Sequence, residues 1–512
     1  MLTLVINLSL STVKAIIIND GGKKVFHDWL PVRTSINGST VEQDPEEWWS
    51  LTMELLQKIF GNKELSSDID YITVTSSALC LVALDNNGTV LDKAYMVSDK
   101  RAESEAVELK NKFPGIFKEN PAFKADASFM LPKVLWIRRN KKEIFKKTAK
   151  YLSSNDYLVY KLTGKYITDS LNAEKFYFDT KKNLYPKMVL NFAGISSFQL
   201  PKVVMPGTLI SELSSILKKK LSIKHSVKLS ISTYDAICAL IGSSTFEDGE
   251  LNNVCGTCSS YRMYIKKSGF NKNNLLQQFL PGENMSIIGG SNNLEGGVLE
   301  WAKGCFYGDS FMKDDNFLYD LIQKEAKESE LGANGVIFLP YLIGERLPFS
   351  NPDVRGMFFG IERFHKRPDM IRSVLEAMAF QARLMLEEFE KSGMEVSVVN
   401  MSGGGAKMEF SAQLRSDMLG LPVNVLSEVE TTAQGAFILT LKARRIIKSI
   451  KEGKKFVKIE KRFIPKMHNH NCYSSLFILY KQLYTTNSEV FKKRRELIDK
   501  MTHYRKNVLE NL

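Results

Sequence analysis

VINLSLSTVKAIIIND, residues 5–20, is the stretch that sets the architecture. Apolar, largely β-branched residues flank hydroxyls at Ser9, Ser11 and Thr12, so it reads as a strand, a tight turn and a returning strand. Turns of this kind can hold phosphate, because successive backbone N–H groups converge on an anion where the chain bends sharply. This one contains no glycine, and its one candidate metal ligand is the amide of Asn7. A phosphate loop, a degraded phosphate loop and a plain hairpin are all open readings.

The pattern recurs about half a chain length later in LNNVCGTCSSYRMYIKK, residues 251–267. Gly256, Thr257, Cys258 and Ser259 stand where the first copy has Ser9, Leu10, Ser11 and Thr12. Each hairpin is followed by further strands and amphipathic helices, which points to two domains of similar construction. YITVTSSALCLVALD, residues 71–85, supplies short apolar strands closed by the turn DNNG. PEEWWSLTMELLQKIF, residues 45–60, has proline and acidic residues in its first turn, as a helix start should. PDMIRSVLEAMAFQARLMLEEFEKSG, residues 368–393, repeats apolar positions at helical spacing and stops at Gly393. Strands mixed with helices in two blocks predict an α/β protein with two lobes. The boundaries are set at 1–245, 246–445 and a basic extension, 446–512, whose aromatics Phe463, Tyr473, Phe477 and Tyr480 predict helix packed on the second lobe.

A chain of 512 residues, 44% hydrophobic and 25% charged, has ordinary globular composition and room for several cores. The apolar N-terminus lacks a basic leader and is interrupted by Lys14 and Asp20, so no signal peptide is read, and no window approaches the roughly 18 apolar residues of a membrane helix. A cytoplasmic location is expected. The net charge of +13 lies in dispersed lysines without an aromatic platform; this disfavours nucleic acid and tolerates an anionic substrate. Cys255 and Cys258 form a C-x-x-C, but in an apolar strand and turn without a second cluster, which disfavours zinc.

Four further segments resemble the FGGY carbohydrate kinases of the actin-like superfamily: FLPYLIGERLPFSNPDVRGMFFG (338–360), STYDAICALIG (232–242), SGGGAKMEFSAQLRSDMLGLPV (402–423) and IIGGSNNLEGGVLEW (287–301). The resemblance covers nearly the whole chain. It implies two actin-like, ribonuclease H-like lobes around a cleft for ATP and sugar, and transfer of phosphate to a sugar hydroxyl. Such chemistry needs a base, a cation on the phosphates and donors that cradle them. Asp235 is positioned to cap a helix or to project into a cleft; the resemblance makes it the base, and a contact for substrate and metal.

For ATP the expected contacts are Ser11, Thr12 and Lys14 in the first turn, Gly256 and Thr257 in the second, and Gly296, Gly297, Gly404 and Gly405 at helix starts. Trp301 reads as core, and Glu345 with Arg346 as a cleft-wall pair. On the sugar side Ser76, Ser77, Asp99 and Arg101 are the candidates.

Two departures stand out. The family has an acid and then Gly-Thr where this chain has Asn7, Ser9 and Leu10, so magnesium would be held weakly, through water. The segment 75–85 lacks the family's sugar-touching pair, and Val97 replaces its tryptophan. The general likeness is to xylulose and gluconate kinases. A ketopentose such as xylulose is the first expectation and gluconate, another sugar acid or a polyol the alternative. A catalytically impaired sugar- or nucleotide-binding relative is the competing class. ATP and Mg²⁺ are the expected cofactors, and a homodimer is compatible with the sequence.

Overall fold

In the computed structural model of the chain, the described residues are 1–510 without 121, 267–274, 281, 309–314 and 429. The opening stretch forms the antiparallel pair Leu2–Leu8 and Thr12–Asn19, with Asn7 opposite Lys14. Thr3 to Leu8 are all buried, as expected of a strand covered on both faces. The pair lies inside a six-stranded sheet ordered Thr208–Glu212, Lys228–Ile231, Ile69–Ser76, Leu2–Leu8, Thr12–Asn19, Lys24–Pro31. Leu2–Leu8, Ile69–Ser76 and Lys228–Ile231 run parallel. Their carboxyl ends therefore bring Asn7, Ser76 and the start of helix Asp235–Gly242 to one edge, where open α/β sheets bind ligands.

The second hairpin, Glu250–Cys255 with Ser259–Ile265, occupies the same place in a seven-stranded sheet. Val398–Ser402 runs parallel to Glu250–Cys255 and leads into the glycine loop at 403–405. Both sheets thus flank their hairpin with an antiparallel strand on one side and parallel strands on the other, the two-lobe construction of actin-like kinases. Strand Ile459–Phe463 extends the second sheet by pairing with Val423–Leu426. The helical reading of 446–512 did not foresee this strand, which closes an otherwise open edge. Beyond it, helix Met467–Thr486 buries Tyr473, Phe477 and Tyr480 against helix Arg367–Lys391, with Tyr480 stacked 4.8 Å from Phe380.

The lobes meet where helix Asp235–Gly242 crosses helix Thr431–Ala443. Val5, Ile16 and Ile18 of the first sheet share one core cluster with Ile237, Phe437, Ile438 and Leu441 of these helices. The junction is therefore apolar and continuous. Lys14 Nζ and Glu430 Oε1, 2.7 Å apart, bridge the cleft beside it.

Candidate active site

Asp235 is the first helical residue after Tyr234, so its carboxylate projects from a helix start at the sheet edge. Oδ1 accepts from the N–H of Ala236 (2.7 Å) and Oδ2 from Ser77 Oγ (3.1 Å). Burial lifts its pKa above the ordinary carboxylate range; those two hydrogen bonds and the charges of Arg262 and Arg346 oppose the rise. Asp235 in turn helps raise the Cys258 thiol, behind burial as the main cause, so the carboxylate of the first lobe lies close to the second turn.

That second turn is open. Gly256 and Thr257 are exposed, and their carbonyls accept from the N–H groups of Gly296 and Gly297 (3.0 and 3.2 Å). The start of helix Gly296–Tyr307 therefore supports the turn from behind, and a Cβ on Gly296 would lie 2.4 Å from the Gly256 carbonyl oxygen. Gly296 and Gly297, expected at ATP, are committed to this docking. In the glycine loop Gly403 (φ +85°) and Gly405 pack onto Cys255, while a Cβ on Gly404 would meet nothing within 4 Å. Gly404 is thus the position that leaves backbone free for a ligand to approach.

The first turn is built differently. Ser9 Oγ accepts from the N–H groups of Thr12 (3.0 Å) and Ser11 (3.4 Å) and lies 2.8 Å from Thr12 Oγ1. The amides that would cradle a phosphate are already satisfied by the chain itself. Lys14, expected on ATP, pairs with Glu430. Asn7 is 4% exposed and its Oδ1 has no hydrogen-bond partner among the described residues. A buried amide oxygen left unpaired is costly and leaves one ligand position to fill. Among the described residues no three or more His, Cys, Asp or Glu side chains cluster as a metal site. With Asp235, Asn7 fits the sparse protein ligation of a magnesium ion held mainly by phosphates and water.

On the sugar side Ser77 faces Asp235, whereas Ser76 is fully buried against Ser154 Oγ (2.9 Å). Asp99 is fully buried; its oxygens accept from Arg101 Nε (2.8 Å), Arg101 Nη2 (2.7 Å) and the N–H of Val41 (2.7 Å). Arg101 also bonds Glu42 and stacks on Tyr95, 3.9 Å from its ring centre. This pair was expected at the sugar. Its geometry is that of an internal brace, because both Asp99 oxygens and the Arg101 Nε and Nη2 groups are taken up by protein. Glu345 and Arg346, by contrast, form no side-chain ion pair with each other. Glu345 Oε1 takes the N–H groups of Asn293 (2.9 Å) and Arg346 (2.8 Å), and the Arg346 guanidinium holds the carbonyls of Ser291 and Asn292. Trp301 stacks on Phe338 in the core.

Several organising residues escaped the sequence reading. Glu295, fully buried, bonds Arg415 and the Tyr261 hydroxyl (3.0 Å) behind the second turn. Lys133, also fully buried, donates to the carbonyls of Leu79 and Met96 (2.7 Å each), and burial pushes its pKa down to about 8. Glu295 lies inside the segment 287–301, but its role, like that of Lys133, is set by partners distant in sequence.

Two lobes of one design, an open phosphate turn, a glycine loop and a carboxylate facing them define a two-lobed, actin-like phosphotransferase. Comparison with known proteins sharpens the class. Residues 2–242 match the N-terminal domain of the FGGY family of carbohydrate kinases, and residues 251–444 match its C-terminal domain. The chain belongs to that family and is a carbohydrate kinase, with a sugar and ATP as its substrates. It is 27% identical to the xylulose kinase of Bacillus subtilis (strain 168) over 491 residues, 95% of this chain and 97% of the relative. It is 27% identical to the gluconokinase of the same organism over 450 residues, 86% of each chain. The crystal structure of ligand bound xylulose kinase from Lactobacillus acidophilus superposes with a TM-score of 0.85 at 22% identity, covering 96% of this chain and 99% of that one. Among the described residues no helix is long and apolar enough to cross a membrane.

Proposed function

We propose that Asp235 takes the proton from a hydroxyl of a small polyhydroxy acceptor as that oxygen bonds to the γ-phosphorus of ATP and the bond to the β-phosphate oxygen breaks. The observation that carries this reading is the half-buried Asp235 carboxylate, held by Ser77 and the Ala236 N–H and close to the turn at Gly256–Thr257. A carboxylate lifted above its ordinary range is a better proton acceptor than a solvated one. The exposed second turn and the bare backbone at Gly404 suit the polyphosphate and nucleoside. Asn7 Oδ1 and Asp235 would hold a magnesium ion on the phosphates, whose charge neutralisation assists transfer. The relatives' names support either a ketopentose or a sugar acid as acceptor.

A coupled assay of ADP release over pentuloses, sugar acids and polyols tests the proposal, with Asp235→Ala and Asn7→Asp beside the wild type. Acceptor-stimulated turnover that Asp235→Ala abolishes is expected, and Asn7→Asp should lower the magnesium concentration needed for half-maximal rate. Turnover with no acceptor would overturn it.

The closed first turn favours one second reading, a relative that binds nucleotide but transfers slowly or not at all. Calorimetry with ATP and Mg²⁺ separates the two: binding without turnover identifies the impaired form.

A further inference from the structure

Two cations near Asp235 are unused by the chemistry above. Arg262, on strand Ser259–Ile265, is 8% exposed; Lys175, in the turn of 3-10 helix Glu174–Phe176, is 2% exposed. Among the described residues neither has a carboxylate within ion-pair distance. Arg262 Nη1 donates to Ser260 Oγ, and Lys175 Nζ lies over the rings of Tyr234 and Phe129, 4.9 and 5.8 Å from their centres. The Glu174 carboxylate beside Lys175 is itself taken up by Gln278 Nε2 and Thr180 Oγ1. The molecule also makes room for Arg262: its cross-strand neighbour is Gly289, where a Cβ would lie 2.8 Å from Arg262 Cγ.

Buried cations without an ion pair are costly: burial lowers the pKa of both Lys175 and Arg262, and the charge of the adjacent Glu174 offsets only part of this for Lys175. A ligand anion would remove that cost. Position decides which anion. Arg262 lies three residues along the strand Ser259–Ile265, about 10 Å of backbone from the end of the phosphate turn, and its guanidinium bonds Ser260. Its charge acts on Tyr234, Asp235 and Lys175, and Lys175 Nζ lies over the ring of Tyr234, the residue before the proposed base.

We propose that Arg262 and Lys175 bind an anionic head, carboxylate or phosphate, on the polyhydroxy acceptor whose hydroxyl reaches Asp235. The acceptor class is then sugar acids or sugar phosphates, and a neutral ketopentose offers these cations nothing to meet. The inference rests on the kinase reading above.

The test uses four acceptors, gluconate, sorbitol 6-phosphate, sorbitol and xylulose, in both ADP-release kinetics and calorimetry. The wild type should favour one of the two anions in kcat/KM, which also tells carboxylate from phosphate. Arg262→Gln should lower that preference about 10- to 100-fold, the worth of hydrogen bonds to a charged group, and Arg262→Lys should restore part of it. A wild type that prefers a neutral acceptor, or an unchanged preference in Arg262→Gln, overturns the proposal. Calorimetry separates its failure from that of the kinase reading. Anion binding that Arg262→Gln weakens tenfold, without turnover of any acceptor, sinks the kinase reading and keeps this site. No heat with either anion sinks the site whatever the turnover. Should Arg262→Gln not fold, as its unfolding midpoint will tell, Lys175→Gln carries the same comparisons.

Discussion

Gly242 and Gly435 face each other across the lobe junction at backbone distance: a Cβ on Gly242 would lie 1.9 Å from the Thr431 carbonyl oxygen, and one on Gly435 1.8 Å from that of Cys238. The obstacle on each side is main chain, which cannot rotate away. Gly435→Ala should therefore cost about 3 kcal/mol, the upper end of overpacking penalties, by pushing two helices apart. Urea unfolding measures it; an unchanged midpoint would mean that the helices slide freely.

Asp235→Asn keeps shape and hydrogen bonding but not basicity. Transfer should fall by about 10²- to 10⁴-fold, the usual worth of a general base. Nucleotide binding, proposed above to use Gly256, Thr257 and Gly404, should survive. In the wild type the acid limb of kcat/KM should lie above the ordinary carboxylate range, because burial raises the Asp235 pKa. A limb at or below that range would remove Asp235 from the role.

The glycine loop separates packing from binding. Gly403→Ala places a Cβ 2.5 Å from the Cys255 carbonyl oxygen at φ +85° and should destabilise the fold. Gly404→Ala meets nothing within 4 Å, so stability should stay within about 0.5 kcal/mol while KM for ATP rises. Equal effects of both variants on stability would contradict the geometry.

Asp99→Ala takes from the buried Arg101 guanidinium two of its hydrogen bonds and from Val41 N–H its acceptor, leaving Glu42 as the guanidinium's charged partner. A loss of about 3 to 5 kcal/mol is expected, as for other broken buried pairs. If Asp99 touched sugar instead, KM for the acceptor would rise at unchanged stability. Denaturation and steady-state kinetics on one preparation decide between them.

Glu345 carries a pH signature. Burial raises it from 4.5 to about 7, so between those values the folded chain holds a proton that the unfolded chain has released. Stability from this group is complete below pH 4.5 and is lost as the pH rises through about 7, by about 3 kcal/mol in all. The stability difference between wild type and Glu345→Gln should shrink in favour of the variant over that window. A pH-independent difference would place the carboxyl in solvent.

The sequence was most informative where chemistry is local. Paired strand-turn-strand segments, the helix that follows Asp235 and the glycine run after Ser402 all announce themselves within a dozen residues, and the two lobes follow from their repetition. The side chains of the cleft were less legible because their roles depend on long-range partners. Asp99 and Arg101 sit two residues apart and looked like a ligand pair; their burial beside Glu42 and Tyr95 is invisible in one dimension. Arg262 reads as an ordinary strand residue until Gly289 opposite and the lack of a carboxylate at ion-pair distance among the described residues come into view. The strand Ile459–Phe463 was hidden by its charged residues Glu460, Lys461 and Arg462, which suit a solvated edge as well as a helix.

Ser9 has a kinetic meaning. Its hydroxyl already occupies the amides of Ser11 and Thr12, so a phosphate bound at the first turn would enter by exchange, one hydroxyl out for one phosphate in. Any nucleotide bound there would compete against an intramolecular rival whose effective concentration never changes, however much protein or nucleotide is supplied.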